Sequence, residues 1–437
     1  MLRRSTRTNP WLHEVFAASQ RMCHSDSCGF SRGVEGSAAL PMLIDKLIVG
    51  LAWLLALAWL WKAVTAARGL PLIPNLWEEK YNASPEGSPS IAVIVPARDE
   101  AAALPASLTS LIDQDYKNLT IVAVDDRSAD GSGAIMDELA AKHSDRLQVL
   151  HVRELPAGWL GKPHAMALAA RHAMAMQKPQ YLLFTDADVV FDPQAIRRSL
   201  ALAVATQADH FVTFPTPIIK TVGEGALLGY LGVMGLWATR PWKAADPKAE
   251  RDSIGIGAFN LLRTEAYEKL GGFEALRMEI LEDLMLARNV KLAGLRQRVA
   301  IAAGMVSLHW AAGALGVVNV MTKNLFAVFR FRIELVMFAW VALGTLCLGP
   351  VVLLFFPQTM VPAIIALAAV WILYALSARH SRISSWYALL FPAGGALFLY
   401  SLLRSVWITL RAGGVTWRGT FYPLAELRRG VTANDRK

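Results

Sequence analysis

Two acidic residues one position apart follow a short apolar run near the middle of the chain. The run from Tyr181 to Thr185 is followed by Asp186, Ala187 and Asp188. If the run is a β-strand, alternation of its side chains places Asp186 and Asp188 on the same side, so both carboxylates can approach one ion. Mg²⁺ and Mn²⁺ prefer oxygen ligands, often one or two carboxylates plus substrate phosphates. The pair therefore predicts a divalent-metal site that could stabilise a diphosphate leaving group.

A second apolar run ends in two adjacent acids. Leu119 to Val124 is followed directly by Asp125 and Asp126. Adjacent carboxylates repel each other, which costs stability unless a ligand or a cation uses them. A carboxylate also accepts hydrogen bonds from a uracil N–H or a ribose hydroxyl, so this pair is a candidate nucleotide-binding site. The alternative is a plain polar turn, because the following Asp130-Gly131 is a common pair in turns.

The first β-branched run, Ile91 to Val95, ends in the segment Pro96-Ala97-Arg98-Asp99-Glu100. A strand end that leads into a helix presents backbone N–H groups and side chains to a ligand. Pro96, Ala97 and Glu100 are therefore candidate binding residues. The alternative is a capped strand–helix turn, since Asp99 is a favourable N-cap residue.

Two further segments carry charged residues in otherwise apolar or glycine-rich surroundings. Lys162 lies in the turn from Gly158 to His164, where it could meet a phosphate or simply be a solvated loop lysine. Glu282 and Asp283 lie in an apolar helical stretch predicted to run from residue 279 to 292. One of these two acids could take a proton from an acceptor hydroxyl. The alternative for both acids is an exposed helix face.

The elements that must position these residues alternate between strands and helices. A further β-branched run covers residues 147–152, and stretches with Ala and Leu at helical spacing cover 102–112, 133–142 and 164–176. This alternation predicts an α/β domain with a largely parallel sheet. In such sheets ligands bind at the carboxyl ends of the strands, which is where the charged segments lie.

Outside that domain the chain is too apolar for an ordinary soluble protein. The 437 residues are 54% hydrophobic and only 18% charged, with a mean hydropathy of +0.36. One membrane span is predicted around residues 47–61, and three more at 336–356, 361–376 and 386–410. The glycine-rich segment from Gly223 to Trp242 is either a core helix or one in the membrane interface. The net charge of +9 fits anionic headgroups, and the basic residues that flank apolar runs favour membrane over nucleic acid as the partner.

These patterns predict a domain plan for the whole chain. The three cysteines argue against a disulfide framework, and the first residues lack a signal-peptide core. In order, the plan has a disordered extension (1–41), a transmembrane helix (42–66), a linker (67–89), the α/β domain (90–304), a juxtamembrane segment (305–332), transmembrane helices (333–410) and a C-terminal tail (411–437).

The ordered motifs resemble those of family 2 glycosyltransferases. They read VIVPARDE, VAVDDRSADGS, GWLGKPHAM, FTDADVVFDP, GAFNLLRTEAYEKLGGF and LEDLMLAR, and they cover roughly residues 90–300. The resemblance implies a GT-A fold. With one span before the domain and about three after it, the chain is similar to the bacterial hopene-associated glycosyltransferases of hopanoid biosynthesis, and more distantly to ceramide glucosyltransferases.

The resemblance also implies roles for individual residues. Asp126 would contact the nucleoside with Asp125 beside it, and Glu100 matches the acid after the first strand. Asp188 would bind Mn²⁺ or Mg²⁺ with Asp186 in support. Asp283, next to Glu282, would be the general base of an inverting transfer by direct displacement.

One family motif is missing. Polymerising and ceramide-type members carry Gln/Arg-x-x-Arg-Trp before the terminal spans, whereas residues 323–332 here read KNLFAVFRFR with no Trp after Arg330. The departure argues against a polymerising synthase and against ceramide as acceptor. Arg330 could still neutralise a diphosphate, or be a juxtamembrane cation.

Together these features predict a multi-pass enzyme of the bacterial inner membrane with a cytoplasmic catalytic domain. It would transfer one hexose-type sugar from a UDP-sugar or other nucleotide sugar to a membrane lipid such as a hopanoid. The alternatives are a polyprenyl-phosphate acceptor and a non-catalytic membrane binding protein. Three terminal spans would leave the basic tail outside, against the positive-inside rule, unless the last apolar run turns back near Pro392.

Overall fold

A computed structural model describes residues 35–435, with side chains described for 42–431. The predicted disordered extension falls largely on residues 1–34, which lie outside the described range. The chain divides into two compact units, residues 1–51 and 52–437. In the first unit the structure describes the beginning of helix α1, Glu35–Gly69.

The second unit is built around a seven-stranded sheet with the order β3-β2-β1-β4-β8-β6-β9. The central strands are almost wholly buried, as expected for β-branched runs covered on both faces. The bounds are β1 Ile91–Ala97, β2 Leu119–Asp126, β3 Leu147–Val152, β4 Tyr181–Phe184, β6 His210–Phe214, β8 Asn260–Arg263 and β9 Gln297–Ile301.

The sheet is mixed rather than uniformly parallel. Strands β1 to β4 are parallel to their neighbours, as predicted, but β8 runs antiparallel to both β4 and β6. The antiparallel strand brings the loop before β8 to the carboxyl end of β4. A second, three-stranded sheet contains β5 Val189–Phe191, β7 Thr216–Pro217 and β10 Val306–Leu308.

Helices cover both faces of the large sheet, and the predicted α/β fold class is confirmed. Apolar side chains form separate cores on its two faces. The helices are α2 Leu104–Ile112, α3 Ser132–Lys142, α4 Gly161–Met176, α5 Ala195–Ala205, α7 Thr264–Lys269 and α8 Glu282–Leu292. The predicted linker carries two short 3-10 helices, and its Asn75 pairs with Ile301.

A group of apolar helices completes the second unit. They are α6 Val222–Ala238, α9 Gly313–Val328, α10 Ile333–Leu353, α11 Met360–Ser381 and α12 Phe391–Ala412, followed by a hairpin and α13 Leu424–Asp435. The hairpin consists of β11 Gly414–Trp417 and β12 Thr420–Pro423. Four helical segments are long and apolar enough to cross a membrane: Met42–Leu72, Ile333–Leu353, Pro357–Ser381 and Ser385–Ala412.

Both ends of α12 lie at the α/β domain. Before the helix, the Arg382 guanidinium donates to the carbonyl of Ala303, and Tyr387 packs against Gly225 at the start of α6. After the helix, Arg418 of the hairpin donates to the carbonyl of Arg98. The tail therefore contacts the α/β domain, as it would if the last apolar run turned back near Pro392.

Candidate functional site

One large cavity lies at the carboxyl ends of β1, β2 and β4. Its volume is about 960 Å³. Of the predicted site residues, all except Asp125 line it: Pro96, Ala97, Glu100, Asp126, Lys162, Asp186, Asp188, Glu282 and Asp283. The structure thus brings together residues that are up to 187 positions apart between Pro96 and Asp283.

The two acids at the end of β2 point in different directions, because neighbouring residues of a strand face opposite sides. Asp126 faces the cavity, where Arg127 binds both of its oxygens at 2.8 and 3.0 Å. Asp125 instead accepts from the Ser128 backbone N–H and contacts Nδ1 of His151 at 3.1 Å. Burial pushes the pKa of Asp125 upward, but hydrogen bonds from Ser128 and His151 outweigh it, and the pKa is lowered.

The segment after β1 is tied to the segment after β2. Asp99 accepts a hydrogen bond from the Ala129 N–H, and the Glu100 N–H donates to Ser132 Oγ. Helix α2 begins only at Leu104, after Ala103, so Asp99 is not its N-cap. The alternative interpretation of this segment as a capped helix start is therefore wrong, and its polar groups serve to fix the edge of the cavity.

Lys162 lies between two acids from different elements. Its ammonium is 2.6 Å from Asp186 and 2.7 Å from Glu282. Burial alone would lower the pKa of Lys162, but the charges of Asp186 and Glu282 raise it well above its usual value. Burial in turn raises the pKa of Glu282, which Lys162 only partly offsets. Lys162 is thus a fixed cation rather than a solvated loop lysine. It lies among the cavity acids Asp186, Asp188, Glu282 and Asp283, which we call the acid cluster.

Asp188 has a different environment from its partner Asp186. Burial, followed by the charges of Asp186 and Glu100, raises the pKa of Asp188 to about 6. Within the described residues no cation lies at ion-pair distance from Asp188. Its carboxylate therefore fits the binding of a cation, and Asp186 could approach the same ion from the neighbouring position. Among these residues no group of three His, Cys, Asp or Glu could hold a metal alone, so further ligands would have to come from a substrate.

Asp283 is held at the first turn of α8, which begins at Glu282 rather than at the predicted residue 279. Its Oδ2 accepts from the Gly257 N–H at 2.9 Å, and its Oδ1 accepts from the Leu284 N–H at 2.8 Å. A Cβ added to Gly257 would lie 2.9 Å from Asp186 Oδ2 and 3.6 Å from Asp283 Oδ2. The glycine therefore lets the loop before β8 pass between the two acids.

Several cavity residues were missed by the sequence analysis because they lie far beyond the α/β domain. Lys323 and Asn324 come from α9, and Trp417, Arg418 and Tyr422 come from the hairpin. Arg418 pairs with Glu100 and donates to the Arg98 carbonyl. The alternating β-branched and aromatic residues around Arg418-Gly419 are typical of a hairpin. The prediction of a plain tail for residues 411–437 overlooked this pattern. Arg330 does not line the cavity.

The part of the cavity bounded by α6 is apolar, through Leu228, Leu231, Val233 and Leu236. Near the end of α11 the lining is mixed, with Tyr374 and Ile383 beside Ser377, His380 and Ser381. Since α11 lies within a candidate membrane span, a single cavity connects the acid cluster with the apolar helices.

One part of the chain matches a protein-family model. Residues 92–271, less than half of the chain, match the model described as Glycosyl transferase family 2. The chain is 25% identical over 190 residues to the putative glycosyltransferase EpsE of Bacillus subtilis, covering 43% of this chain and 62% of that protein. It is 26% identical over 237 residues to the 4,4'-diaponeurosporenoate glycosyltransferase of Staphylococcus haemolyticus, covering 51% and 59%. The chain thus spans about three fifths of either relative's length.

Two solved structures are similar at low sequence identity. The mannosyltransferase PcManGT from Pyrobaculum calidifontis, in complex with GDP-Man and Mn²⁺, has 20% identity and a TM-score of 0.47, covering 89% of this chain and 100% of that chain. GalNAc-T7 with UDP, GalNAc and Mn²⁺ has 16% identity and a TM-score of 0.38, covering 51% and 44%. Residues 92–271, which form much of the mixed α/β sheet described above, are therefore similar to glycosyl transferase family 2.

Proposed function

We propose that this protein is a membrane-bound glycosyltransferase that moves one sugar from a nucleotide-diphospho-sugar to a lipid acceptor. The observation that carries the proposal is the single cavity that joins the acid cluster to apolar walls. Polar groups for a nucleotide sugar, such as Asp126 and Asp188, line one end, and Leu228 and Leu231 of α6 line the other. A lipid whose hydroxyl reaches the acids would leave its apolar part against α6 and α11. A hopanoid is the acceptor we favour, on the resemblance of the sequence motifs.

In the proposed reaction the acceptor hydroxyl oxygen attacks the anomeric carbon as the bond to the diphosphate breaks. The carbon is inverted, the hydroxyl proton passes to a protein carboxylate, and the nucleoside diphosphate leaves. Asp283 suits the role of base better than Glu282, because Glu282 is already paired with Lys162 at 2.7 Å. Within the described residues, Asp283 accepts hydrogen bonds from two backbone N–H groups, at 2.9 and 2.8 Å, which aim its carboxylate without pairing it with a cation.

Other residues of the chain bind and orient the donor in this proposal. Asp126, Pro96 and Ala97 lie at the β1 and β2 ends, where the nucleoside would be placed. A divalent metal, Mn²⁺ or Mg²⁺, would be held by Asp188 and Asp186 and would stabilise negative charge on the diphosphate. Asp125 would support this region indirectly through Ser128 and His151.

The experiment is a transfer assay with the full-length protein in lipid nanodiscs, Mn²⁺, and UDP- or GDP-sugars. Bacterial lipid extract, a hopanoid and a polyprenyl phosphate serve as separate acceptors. Asp283→Asn should lower turnover by about 10²–10⁴-fold, the usual range for a general base, while donor binding is kept. Asp188→Asn should weaken donor binding in the presence of Mn²⁺. The control is Glu138→Gln, on the exposed face of α3, which should match the wild type.

Two results would contradict the proposal. Unchanged turnover in both Asp283→Asn and Asp188→Asn would exclude the mechanism. A wild type that binds nucleotide sugars but neither transfers nor hydrolyses them with any acceptor would instead indicate a binding protein. Transfer to polyprenyl phosphate alone would keep the enzyme class and change the acceptor.

A further inference from the structure

Lys323 reaches the cavity from outside the part of the chain that matches the family model. It lies on α9, Gly313–Val328, and lines the cavity beside its neighbour Asn324. Its ammonium lies 4.0 Å from the centre of the Trp417 ring, which comes from the hairpin. Two elements distant in sequence thus place one cation at the acid cluster.

The other basic residues at this end of the cavity already have partners. Lys162 lies between Asp186 and Glu282 at 2.6 and 2.7 Å. Arg418 is paired with Glu100. Arg98 donates to Thr420 Oγ1 at 3.0 Å.

Lys323 differs from them in its surroundings. In the part of the chain that the structure describes, no carboxylate oxygen lies at ion-pair distance from its ammonium, which contacts the face of Trp417 instead. Burial, and then repulsion from Lys162, lowers the pKa of Lys323 to about 8. A cation–π contact compensates only part of the cost of burying an ammonium. An anionic ligand in the cavity would supply the missing counter-charge.

We propose that Lys323 binds the diphosphate of the nucleotide-sugar donor and that Trp417 positions its side chain for this contact. The inference rests on the proposed function. It gives Lys323 the diphosphate contact that the sequence suggested for Arg330, which does not line the cavity. The diphosphate would then meet Lys323 on one side and the Asp186–Asp188 metal site on the other, so its charge would be balanced from two directions.

The test compares nucleotides that differ in one phosphate. Binding of UDP, UMP, GDP and GMP to the full-length protein in nanodiscs with Mn²⁺ is measured by calorimetry for wild type, Lys323→Gln and Lys323→Arg. Lys323→Gln should weaken binding of the preferred nucleoside diphosphate by about tenfold to a hundredfold, the range for one charge-assisted contact. Monophosphate binding should change much less, and Lys323→Arg should restore most of the loss. Lys142→Gln, an exposed lysine on α3, is the control.

A second pair of variants tests the positioning role of Trp417. Trp417→Phe keeps an aromatic face and should retain most of the preference for the diphosphate, whereas Trp417→Leu should reduce that preference in the same direction as Lys323→Gln. Trp417→Leu binding that equals the wild type would remove Trp417 from the proposal.

The outcomes separate this inference from the proposed function. If the wild type binds a nucleoside diphosphate and Lys323→Gln binds it equally well, the inference is wrong and the proposed function stands. Equal weakening of diphosphate and monophosphate binding would also overturn it, since the contact would not be at the second phosphate. Unchanged nucleotide binding with a raised KM for a phosphorylated lipid would assign Lys323 to the acceptor instead. A wild type that binds none of these nucleotides would overturn both.

Discussion

Asp188 is a buried cavity carboxylate with two other acids nearby. Burial and the nearby charges of Asp186 and Glu100 raise its pKa to about 6, whereas for Asp186 the attraction of Lys162 overcomes burial and lowers the pKa. At neutral pH both carboxylates are therefore ionised, and as the pH falls Asp188 takes up a proton first. A metal ion that needs the Asp188 carboxylate must compete with that proton.

We therefore expect Mn²⁺ affinity to depend on pH in one direction. Above pH 6 the affinity should be nearly constant, and below it should fall by up to about tenfold per pH unit, as expected for competition with one proton. Electron paramagnetic resonance of free Mn²⁺, titrated from pH 5 to 8 with nucleoside diphosphate present, measures this. Asp188→Asn should bind weakly at every pH. A wild-type affinity that is constant from pH 5 to 7 would show that Asp188 is not a ligand.

The site residues that could be predicted from the sequence are those at the ends of strands. Asp126, Asp186 and Asp188 lie at or just after the ends of apolar runs, so their positions at one edge of the sheet follow from the α/β pattern alone. The same alternation would have separated Asp125 from Asp126 had it been applied to that pair. Lys323 carries no local signal, because the aromatic ring that its ammonium contacts belongs to Trp417 of the hairpin, 94 residues along the chain.

At the scale of elements, α6 and α12 pack closely through small residues. A Cβ added to Gly394 of α12 would lie 2.7 Å from the Ala226 carbonyl oxygen and 2.7 Å from Tyr230 Cβ. Neither atom is at the end of a flexible side chain. The two helices can approach this closely only because residue 394 is glycine.

Gly394→Ala should therefore destabilise the helix packing. Overpacking of this kind typically costs about 1–3 kcal/mol, and it should lower the thermal unfolding midpoint measured in detergent by fluorescence. The matched control is Gly344→Ala in α10, where an added Cβ would meet only Leu399 Cδ1 at 3.7 Å, an ordinary contact. Equal midpoints for the two variants would contradict close packing at Gly394.

The positions of the helices and strands were more predictable from the sequence than the way in which the strands pair. Helical spacing located α2, α3 and α4 within a few residues, and β-branched runs located β1 to β4. The direction of β8 could not be read from its short run Asn260–Arg263, because a buried strand has the same composition whichever way it runs. The placement of the hairpin likewise depends on contacts with residues 98–100, which no local pattern shows.

At the scale of the whole molecule, the contacts of the tail bear on membrane topology. Helix α12 has 22 residues, about 33 Å of helix at 1.5 Å per residue, yet the segments before and after it both contact the α/β domain. Although α12 is long and apolar enough to cross a bilayer, the contacts of both flanking segments with one domain favour a helix that leaves the chain on one side of the membrane. Its polar residues Ser405 and Arg404 face α9, where they contact the carbonyl and the hydroxyl of Thr322.

We expect the C-terminus to lie on the same side of the membrane as the α/β domain. A reporter fused after Lys437 and a reporter inserted in the loop near His143 should give the same sidedness. A cysteine-labelling assay in intact cells provides an independent measurement. Opposite sidedness of the two reporters would show that α12 crosses the membrane.

The hairpin of residues 414–423 also bears on the design of truncated fragments of this protein. A fragment that ends at residue 304 would keep all the acids of the cavity and could still fold around its sheet. It would nevertheless lose Lys323, Trp417 and Arg418, which form part of the lining of the cavity. Weak nucleotide binding by such a fragment would therefore say little about the full chain, in which residues 323–422 contribute to the lining of the cavity.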